Sequence, residues 1–526
     1  MPFLLMVFLV LVCLPEPEAW PNPLWTDSPQ LCIAATWLTI LLGSLHAFWL
    51  ARRTRAELEK DPSQRERLLT RYERGRFHQQ IALFVLYALV LLGLGWGWAV
   101  TQLWHGRTAP LPGAELLILS PFVIGQLLAW TAYYDAERAA HRAALRLLSA
   151  EPQTGAWLEL ERTRRGSPSS FGSRAAYVLF QLRQKLALVF LPVFLLLVQK
   201  ELQRLFPEEW QNWQKAVNFL GIAFVLVIFA TMPWIVRLVL GLKPLTDGPM
   251  RRRLEASARR LRFRCSNILV WNTRNGMANA MVIGILPWVR YVVFTDRLLE
   301  DFTPDEIEAV FGHEVGHIRH HHMLYYFSFL TASVIVLGWM INDLVVFYKG
   351  PDPFGLSNHS ADWISVVSLV GVLLAYIFVV FGFLSRRCER QADVFGCRAV
   401  SCSSPDCRGH EDEDDLAGRG LGLCPTGINT FIRALEKVAA VNGISRDRPG
   451  FLQSWQHASI GRRIEFLQRV LLDPGVERRF QRRVFLFKSL LLLVLCGTVA
   501  FIFAHDTKSS PAVEQRKNRL ATEEHR

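Results

Sequence analysis

The chain of 526 residues is 51% hydrophobic and 12% aromatic, and only 20% of its residues are charged. This composition excludes a disordered chain, a collagen and a small disulfide scaffold, and it is too apolar for an ordinary soluble protein. The net charge of +13 could indicate nucleic-acid binding, but the basic residues cluster beside long apolar runs. Such clusters are typical of membrane topology, so we expect a polytopic membrane protein in a lipid bilayer, with no nucleic-acid partner.

Apolar runs of about 20 residues, long enough to cross a bilayer, recur along the chain. They predict a mainly α polytopic protein with about eight transmembrane helices, at 31–50, 81–104, 114–134, 177–198, 217–236, 324–347, 362–384 and 484–504. Residues 1–30 contain a further apolar segment that is short for a span and lacks the basic residues that precede a signal peptide's apolar core. We assign them as an N-terminal apolar segment and a non-cytoplasmic stretch, without choosing between an anchor and a cleaved signal.

Basic residues are dense in the loops that follow the odd-numbered spans and scarce in the loops between. The positive-inside rule therefore predicts that the dense loops face the cytoplasm. These loops are 51–80, 135–176, 237–323 and 385–483.

The long segment between the fifth and sixth predicted spans has globular patterning. Together with the cytoplasmic segment after the seventh span, it predicts a small α+β domain interrupted by two spans. Short strands are predicted at 268–271, 281–285 and 291–294, joined in part by a turn at 272–276. The predicted organisation is 1–30, a multi-span region 31–240, a first domain part 241–323, two spans 324–384, a second domain part 385–483, and a last span with a polar tail 484–526.

A helix is predicted to begin at Thr303, which suits an N-cap, with Pro304 in its first turn and Glu306 completing a capping box. This helix carries the pattern His313-Glu314-x-x-His317. Histidines four residues apart share one helix face, so both imidazoles could bind one Zn²⁺, with Glu314 beside the zinc-bound water as a general base. A capped helix that holds the pattern in register argues against a chance match.

A zinc site of two histidines and a water lacks one protein ligand. Glu389 and Asp393, four residues apart, follow the seventh predicted span. Glu389 could complete the metal site, and Asp393 could accept the hydrogen bond that orients a ligand histidine. Alone, the pair could equally be a charged helix start at the membrane surface.

A third element contains His457 and Arg463. Near a zinc site, these side chains could stabilise the oxyanion of a tetrahedral intermediate. A basic, solvated helix start capped by Ser459 explains the same residues, and the residue pattern does not separate the two interpretations.

Together these elements resemble the membrane-embedded zinc metalloproteases that include the CAAX prenyl proteases and the HtpX-type heat-shock proteases. The resemblance covers about 260–475, with His313–His317 as the metal motif and Glu389–Asp393 as a Glu-x-x-x-Asp motif. The segment from His457 to Arg463 is similar to a later His-Pro…Arg-Ile pattern, although Ala458 replaces the proline.

The resemblance implies a zincin-like domain with one zinc per chain, held by His313, His317 and Glu389. Glu314 would activate water, and His457 and Arg463 would assist the transition state or position other groups. Asn279 and Ala280 resemble a strand that lies along the active-site cleft in this family.

We therefore expect an integral-membrane zinc endopeptidase whose active site faces the cytoplasm and whose protein or peptide substrates are misfolded or linked to the membrane. One alternative is a CAAX-type protease that trims prenylated proteins. A second is a non-catalytic scaffold or transporter that retains the fold. The intact set of ligands and Glu314 argues against the second alternative.

Two further clusters could bind metal. His320, His321 and His322 follow the metal motif, and His320 and His321 could contact a second ion. Solvated histidines near the headgroups are the simpler interpretation. Cys402, Cys407, His410 and Cys424, in a polar insert at 401–427, could hold a structural zinc. Their spacing fits no standard zinc finger, so ordinary cytosolic thiols are the preferred interpretation.

Overall fold

The chain divides into two units, Met1–Leu242 and Lys243–Arg526. The structure, a computed structural model, describes residues 23, 25–61, 65–102, 114–150, 173–185, 227, 230–273, 277–326, 328–329, 377–402, 407, 409–410, 422–442, 446 and 458–523. Most of the residues of the predicted spans 177–198, 217–236, 324–347 and 362–384 lie outside these ranges.

The first unit is helical. Its main helices are α1 (Pro29–Lys60), α2 (Arg65–Ala88), α3 (Trp96–Thr101), α4 (Ala114–Ala150) and α5 (Arg174–Lys185). Among the described residues, two helical stretches are long and apolar enough to cross a membrane, namely Pro29–Lys60 and Ala114–Ala140. The count of eight spans therefore stays a prediction.

The predicted span 81–104 is not one continuous helix. After α2 the chain passes through a π-helical turn, Leu89–Gly93, and a left-handed residue, Gly95, whose φ is 76°, before α3 begins. Glycine adopts this conformation without the steric penalty of a Cβ atom. The hydroxyl of Tyr87 and the indole N–H of Trp96 both donate to the carbonyl of Ile118, which anchors the two sides of the break to α4.

The second unit is built on a four-stranded sheet of β1 (Lys243–Pro244), β2 (Asn267–Trp271), β3 (Ala280–Ile283) and β4 (Tyr291–Thr295), in the order β1-β2-β4-β3. Strands β2 and β4 are parallel, whereas β3 pairs with β4 antiparallel. The predicted strands are confirmed to within two residues at each end. Strand β4 is buried throughout, and β3 forms one edge of the sheet as described.

The helices of this unit pack against the sheet and against one another. They are α6 (Pro249–Arg260), α7 (Asp296–Asp301), α8 (Pro304–Arg319), α9 (Gly382–Ala399), α10 (Pro425–Val441), α11 (Ile460–Leu472) and α12 (Pro474–Glu523). The predicted start of α8 is confirmed: the Thr303 hydroxyl accepts from the Glu306 N–H, and the Glu306 carboxylate accepts from the Thr303 N–H. Phe311 of α8 packs against Phe294 of β4 in the core, which fixes the helix on the sheet.

Helices α8 and α9 pack closely because small residues line their contact. A Cβ atom added at Gly312 would lie 2.3 Å from the Cβ of Ala399, and one added at Gly316 would lie 3.0 Å from the Cα of Ala392. Neither position has room for a side chain at this helix separation. The glycines therefore allow α9 to present its carboxylates to the histidines of α8.

A buried ion cluster ties α8 to α6. Glu308 of α8 is fully buried, and its carboxylate accepts hydrogen bonds from Arg253, Ser257 and Arg260 of α6. Arg260 also donates to the carbonyl of Ala399 at 2.8 Å, so the cluster reaches the end of α9.

Candidate metal centre

The imidazoles of two α8 histidines and the carboxylate of an α9 glutamate converge on one position. The Nε2 atoms of His313 and His317 are 3.2 Å apart. The Glu389 carboxylate lies 3.7 Å from Nε2 of His313 and 3.6 Å from Nε2 of His317. All three side chains are buried or half-buried.

These separations fit a zinc ion. Ligand atoms at tetrahedral zinc, about 2.0–2.2 Å from the metal, lie about 3.3–3.5 Å from one another. Two imidazole nitrogens and a carboxylate also form one of the donor sets found in catalytic zinc sites, where the fourth position is kept for water. The residues present therefore fit the metal that the sequence predicts.

Asp393 lies behind His313, on the side away from the convergent atoms. It is fully buried, and its Oδ1 is 3.0 Å from Nδ1 of His313, although the N–H is not well aligned with this oxygen. Burial alone would raise the pKa of Asp393, but the charge of Arg463 and the contact with His313 lower it. A carboxylate at this position favours the proton on Nδ1 of His313, which leaves the Nε2 lone pair free for a metal.

Arg463 of α11 is buried and paired with the same carboxylate. Its Nε donates to Oδ2 of Asp393 at 2.9 Å, and its Nη1 is 3.8 Å from the Glu389 carboxylate. The interpretation of this residue as part of a solvated helix start is wrong for Arg463, although Ser459 does cap α11 by accepting from the Arg462 N–H. The Arg463 guanidinium thus neutralises Asp393, which contacts the candidate ligand His313. It also lies close to Glu389, which is itself a candidate ligand.

His317 has its own partner, which the sequence analysis missed. Its Nδ1 is 3.0 Å from Nδ1 of His322, and Nε2 of His322 is 3.2 Å from Oε1 of Gln391. The Gln391 amide nitrogen donates to Gln481, and its Oε1 accepts from Lys488, so Oε1 can only accept from His322. We therefore assign the proton of His322 to Nε2 and that of His317 to Nδ1, which again leaves Nε2 facing the metal position.

The chain turn that brings His322 back to His317 follows the end of α8. His321 has a φ of 54°, a left-handed conformation at the position where glycine usually ends a helix. Burial, with the nearby charges of His317 and Lys488, lowers the pKa of His322 and keeps the ring neutral. His322 is thus a buried partner of a ligand rather than a solvated histidine.

His320 is half-buried and stacks on His322, with 5.7 Å between the ring centroids. Burial, aided by nearby positive charges, lowers its pKa to about 4. Within the described part of the chain, the candidate metal ligands near this helix are His313, His317 and Glu389, without His320.

An open cleft of about 550 Å³ leads to the convergent ligands. Glu314 lines it beside both histidines, and Asn279 and Ala280 line another wall. Ala278, next to this wall, is held by Asn442, whose side chain binds both its N–H and its carbonyl at 2.8 Å.

The remaining predicted residue, His457, lies outside the described residues, as does the 274–276 part of the predicted turn. Its neighbour Ala458 lines the cleft with a φ of 60°. Proline cannot adopt that φ, so the backbone here differs from one built around a His-Pro pair.

Residues 244–412 match the model of the family described as Peptidase family M48. A Probable CAAX prenyl protease 1 from Schizosaccharomyces pombe is 28% identical over 29% of this chain and 33% of that protein. CAAX prenyl protease 1 from Saccharomyces cerevisiae is 29% identical over 37% of this chain and 43% of that protein. Protease HtpX from Pseudomonas putida is 30% identical over 24% of this chain and 43% of that protein.

The chain thus spans from a third to less than half of the length of these relatives. A crystal structure of Ste24p from S. mikatae is 16% identical, with a TM-score of 0.41, over 84% of this chain and 99% of that chain.

Proposed function

Because residues 244–412 match the model of peptidase family M48, we propose that the protein is an integral-membrane, zinc-dependent endopeptidase. The observation that carries the proposal is the convergence of His313, His317 and Glu389 within 4.8 Å, with Glu314 on the same cleft. A structural metal site would have four protein ligands, whereas this set leaves one position for water.

Zinc at this position would lower the pKa of water to about 7 and polarise a peptide carbonyl. Glu314 accepts the proton of the attacking water as the oxygen bonds to the carbonyl carbon. It then delivers that proton to the amine nitrogen as the C–N bond breaks. The products are a carboxylate and an amine, and Glu314 is regenerated.

Two pairs of residues keep the ligands in place during this reaction. Asp393, with Arg463, orients His313, while His322, with Gln391, orients His317. Arg463 is also on the cleft wall. We propose that it and His457 stabilise the negative charge that develops on the carbonyl oxygen.

Strand β3 supports binding of an extended peptide. It forms one edge of the described sheet, and the cleft runs along Asn279, Ala280, Met281 and Val282. A substrate that adds to this edge gains main-chain hydrogen bonds, which give affinity without a strict sequence requirement. This mode suits protein or peptide substrates with unfolded segments.

The surroundings of the site favour substrates linked to the membrane. Large apolar side chains are exposed just after α8, at Met323 and Leu324, and along α12, at Phe485, Leu490 and Leu493. An exposed apolar band of this kind is expected where lipid covers a helix. We propose that the active site lies at the cytoplasmic surface of the bilayer, where it reaches misfolded or juxtamembrane segments.

A narrower specificity is the second candidate, since two of the relatives above are named CAAX prenyl protease 1. In that case a prenylated C-terminal peptide would be the substrate class. The edge strand and the zinc chemistry would be the same, so the substrate must be tested directly.

The test compares purified wild type with Glu314→Gln in detergent, measuring zinc content and cleavage of casein and of a prenylated CAAX peptide. Glu314→Gln should retain the active-site zinc and lose cleavage, because it removes the proton acceptor and no ligand. Cleavage of the prenylated peptide alone would favour the narrower specificity. Zinc without cleavage of either substrate, or cleavage that survives in Glu314→Gln, would contradict the proposed mechanism.

A further inference from the structure

A second cluster of metal-ligand side chains lies between α9 and α10. The sulfur atoms of Cys402, Cys407 and Cys424 and a ring nitrogen of His410 all lie within 4.8 Å of one another. The three cysteines are free of disulfides. We propose that these four side chains bind a structural Zn²⁺, in addition to the zinc of the catalytic centre.

The geometry of the cluster fits a tetrahedral site. The Sγ of Cys424 and the Nε2 of His410 are 3.5 Å apart. With zinc bonds of about 2.3 Å to sulfur and 2.0–2.1 Å to nitrogen, two such ligands lie about 3.5 Å apart. These two donors are thus at the spacing that the ion requires, and the other two lie within 4.8 Å of them.

The chemistry of the donors assigns a different role from that of the catalytic centre. Three thiolates and one imidazole make a soft, closed set of four, which is typical of structural zinc and leaves no position for water or substrate. A disulfide would use only two of the three cysteines and would leave the approach of His410 unexplained. Thiols on the cytoplasmic side are also kept reduced.

The backbone around Cys424 holds its sulfur in place. Cys424 is the N-cap of α10, and its Sγ accepts from the N–H of Gly427 at 3.3 Å. Its own N–H donates to the hydroxyl of Ser401 at 3.2 Å, which fixes the residue at the end of α9. The sulfur of Cys424 is thereby fixed at the start of α10, within 3.5 Å of the Nε2 of His410.

The site would fasten two helices that shape the catalytic centre. Cys402 follows α9, which carries Glu389, and Cys424 begins α10. Phe431 of α10 stacks on the ring of His313, with 5.8 Å between centroids. A zinc ion here would therefore hold the ends of both helices together.

Cobalt separates this site from the catalytic one, because thiolate-to-cobalt charge transfer absorbs strongly in the near ultraviolet and the catalytic ligands contain no sulfur. We would load the full-length His317→Ala variant, which lacks a catalytic ligand, with Co²⁺ and record its spectrum. The band should be present, and it should be lost in His317→Ala/Cys402→Ser/Cys407→Ser. It should be retained when Cys496, exposed on α12, is changed to serine instead. No band in His317→Ala, or one that survives without Cys402 and Cys407, would overturn the proposal.

A measurement on the unmutated protein covers the case in which the cysteine variants fail to fold. Cys407 is half-exposed, so its alkylation by iodoacetamide reports on metal binding rather than on burial. Mass spectrometry should find Cys407 protected in the zinc-loaded protein and modified at least tenfold faster after a chelator removes the metal. Equal rates before and after chelation would contradict a zinc at this site, whatever the activity of the enzyme.

Discussion

The Nδ1 atoms of His317 and His322 lie 3.0 Å apart, and this contact connects the proposed zinc ligand His317 to a buried chain of polar side chains that ends at Lys488. Since Gln391 can only accept at Oε1, each ring nitrogen along the chain has one consistent role. His322 is therefore a positioning residue: it fixes the tautomer and the orientation of His317.

Replacing His322 tests this role. In His322→Leu, His317 loses its acceptor, and zinc affinity should fall about 10- to 100-fold, as expected when the partner of a ligand histidine is removed. In His322→Asn, an amide oxygen takes the place of Nδ1 and should recover much of the affinity. Competition with a chelating dye measures both values. Equal affinities for the Leu and Asn variants would mean that His322 acts only through packing.

Asp393 and Arg463 form the corresponding pair behind His313, and both are buried. Asp393→Asn keeps the shape but removes the charged carboxylate to which Arg463 donates its hydrogen bonds, and leaves the Glu389 carboxylate 3.8 Å away. Removing one member of such a buried pair costs about 3–5 kcal/mol of stability. We expect Asp393→Asn to lower both the free energy of unfolding and the zinc affinity, measured by denaturant titration and dye competition. A variant with wild-type stability would show that the pair carries little of the folding energy.

The double variant Asp393→Asn/Arg463→Met is the informative control. It removes both charges, so stability should recover relative to Asp393→Asn while zinc affinity stays low. Recovery of the affinity as well would assign the loss in Asp393→Asn to the unpaired charge and not to the orientation of His313.

Local patterns predicted the parts of this site that lie on single elements. The capping residues and apolar stripe of α8 place His313, Glu314 and His317 on one face, and those signals are contained within a few residues. The sequence did not predict that Arg463 pairs with Asp393. The two residues are 70 positions apart, and they meet only because α11 packs on α9.

His322 was missed for a different physical reason. Its approach to His317 depends on the left-handed conformation of His321, and histidine has no strong preference for that conformation. Gln391 and Lys488, on α9 and α12, complete the chain only in the folded protein. The convergence of the cysteine cluster could not be predicted either, because its spacing along the chain resembles no known zinc finger.

The close approach of α8 and α9 predicts a steric lesion at Gly312. In Gly312→Ala, the new methyl would lie 2.3 Å from the Cβ of Ala399, so the helices must separate and Glu389 must move away from the histidines. Zinc content and thermal stability should both fall. The control is Gly497→Ala, where no atom lies within 4 Å of the added Cβ.

Exchanging the two residues between the helices tests the same contact. Gly312→Ala/Ala399→Gly moves the methyl group from one helix to the other and should restore zinc binding and most of the stability. Failure of the swap, with normal behaviour of Gly497→Ala, would show that Gly312 matters for a reason other than its contact with Ala399.

The last prediction concerns Glu308 and the contribution of its buried ion cluster to the stability of the fold, away from the proposed metal site. Its fully buried carboxylate pairs with Arg253 and Arg260, whose side chains are also largely buried. Glu308→Gln removes the buried carboxylate that Arg253 and Arg260 share, although Arg253 still contacts Asp305. A loss of about 3–5 kcal/mol in the free energy of unfolding is expected. The matched control is Glu465→Gln, in the exposed pair of Glu465 with Arg469, where the loss should stay below about 1 kcal/mol. Denaturant titration of the full chain in detergent measures both, and similar losses in the two variants would exclude a structural role for the buried cluster.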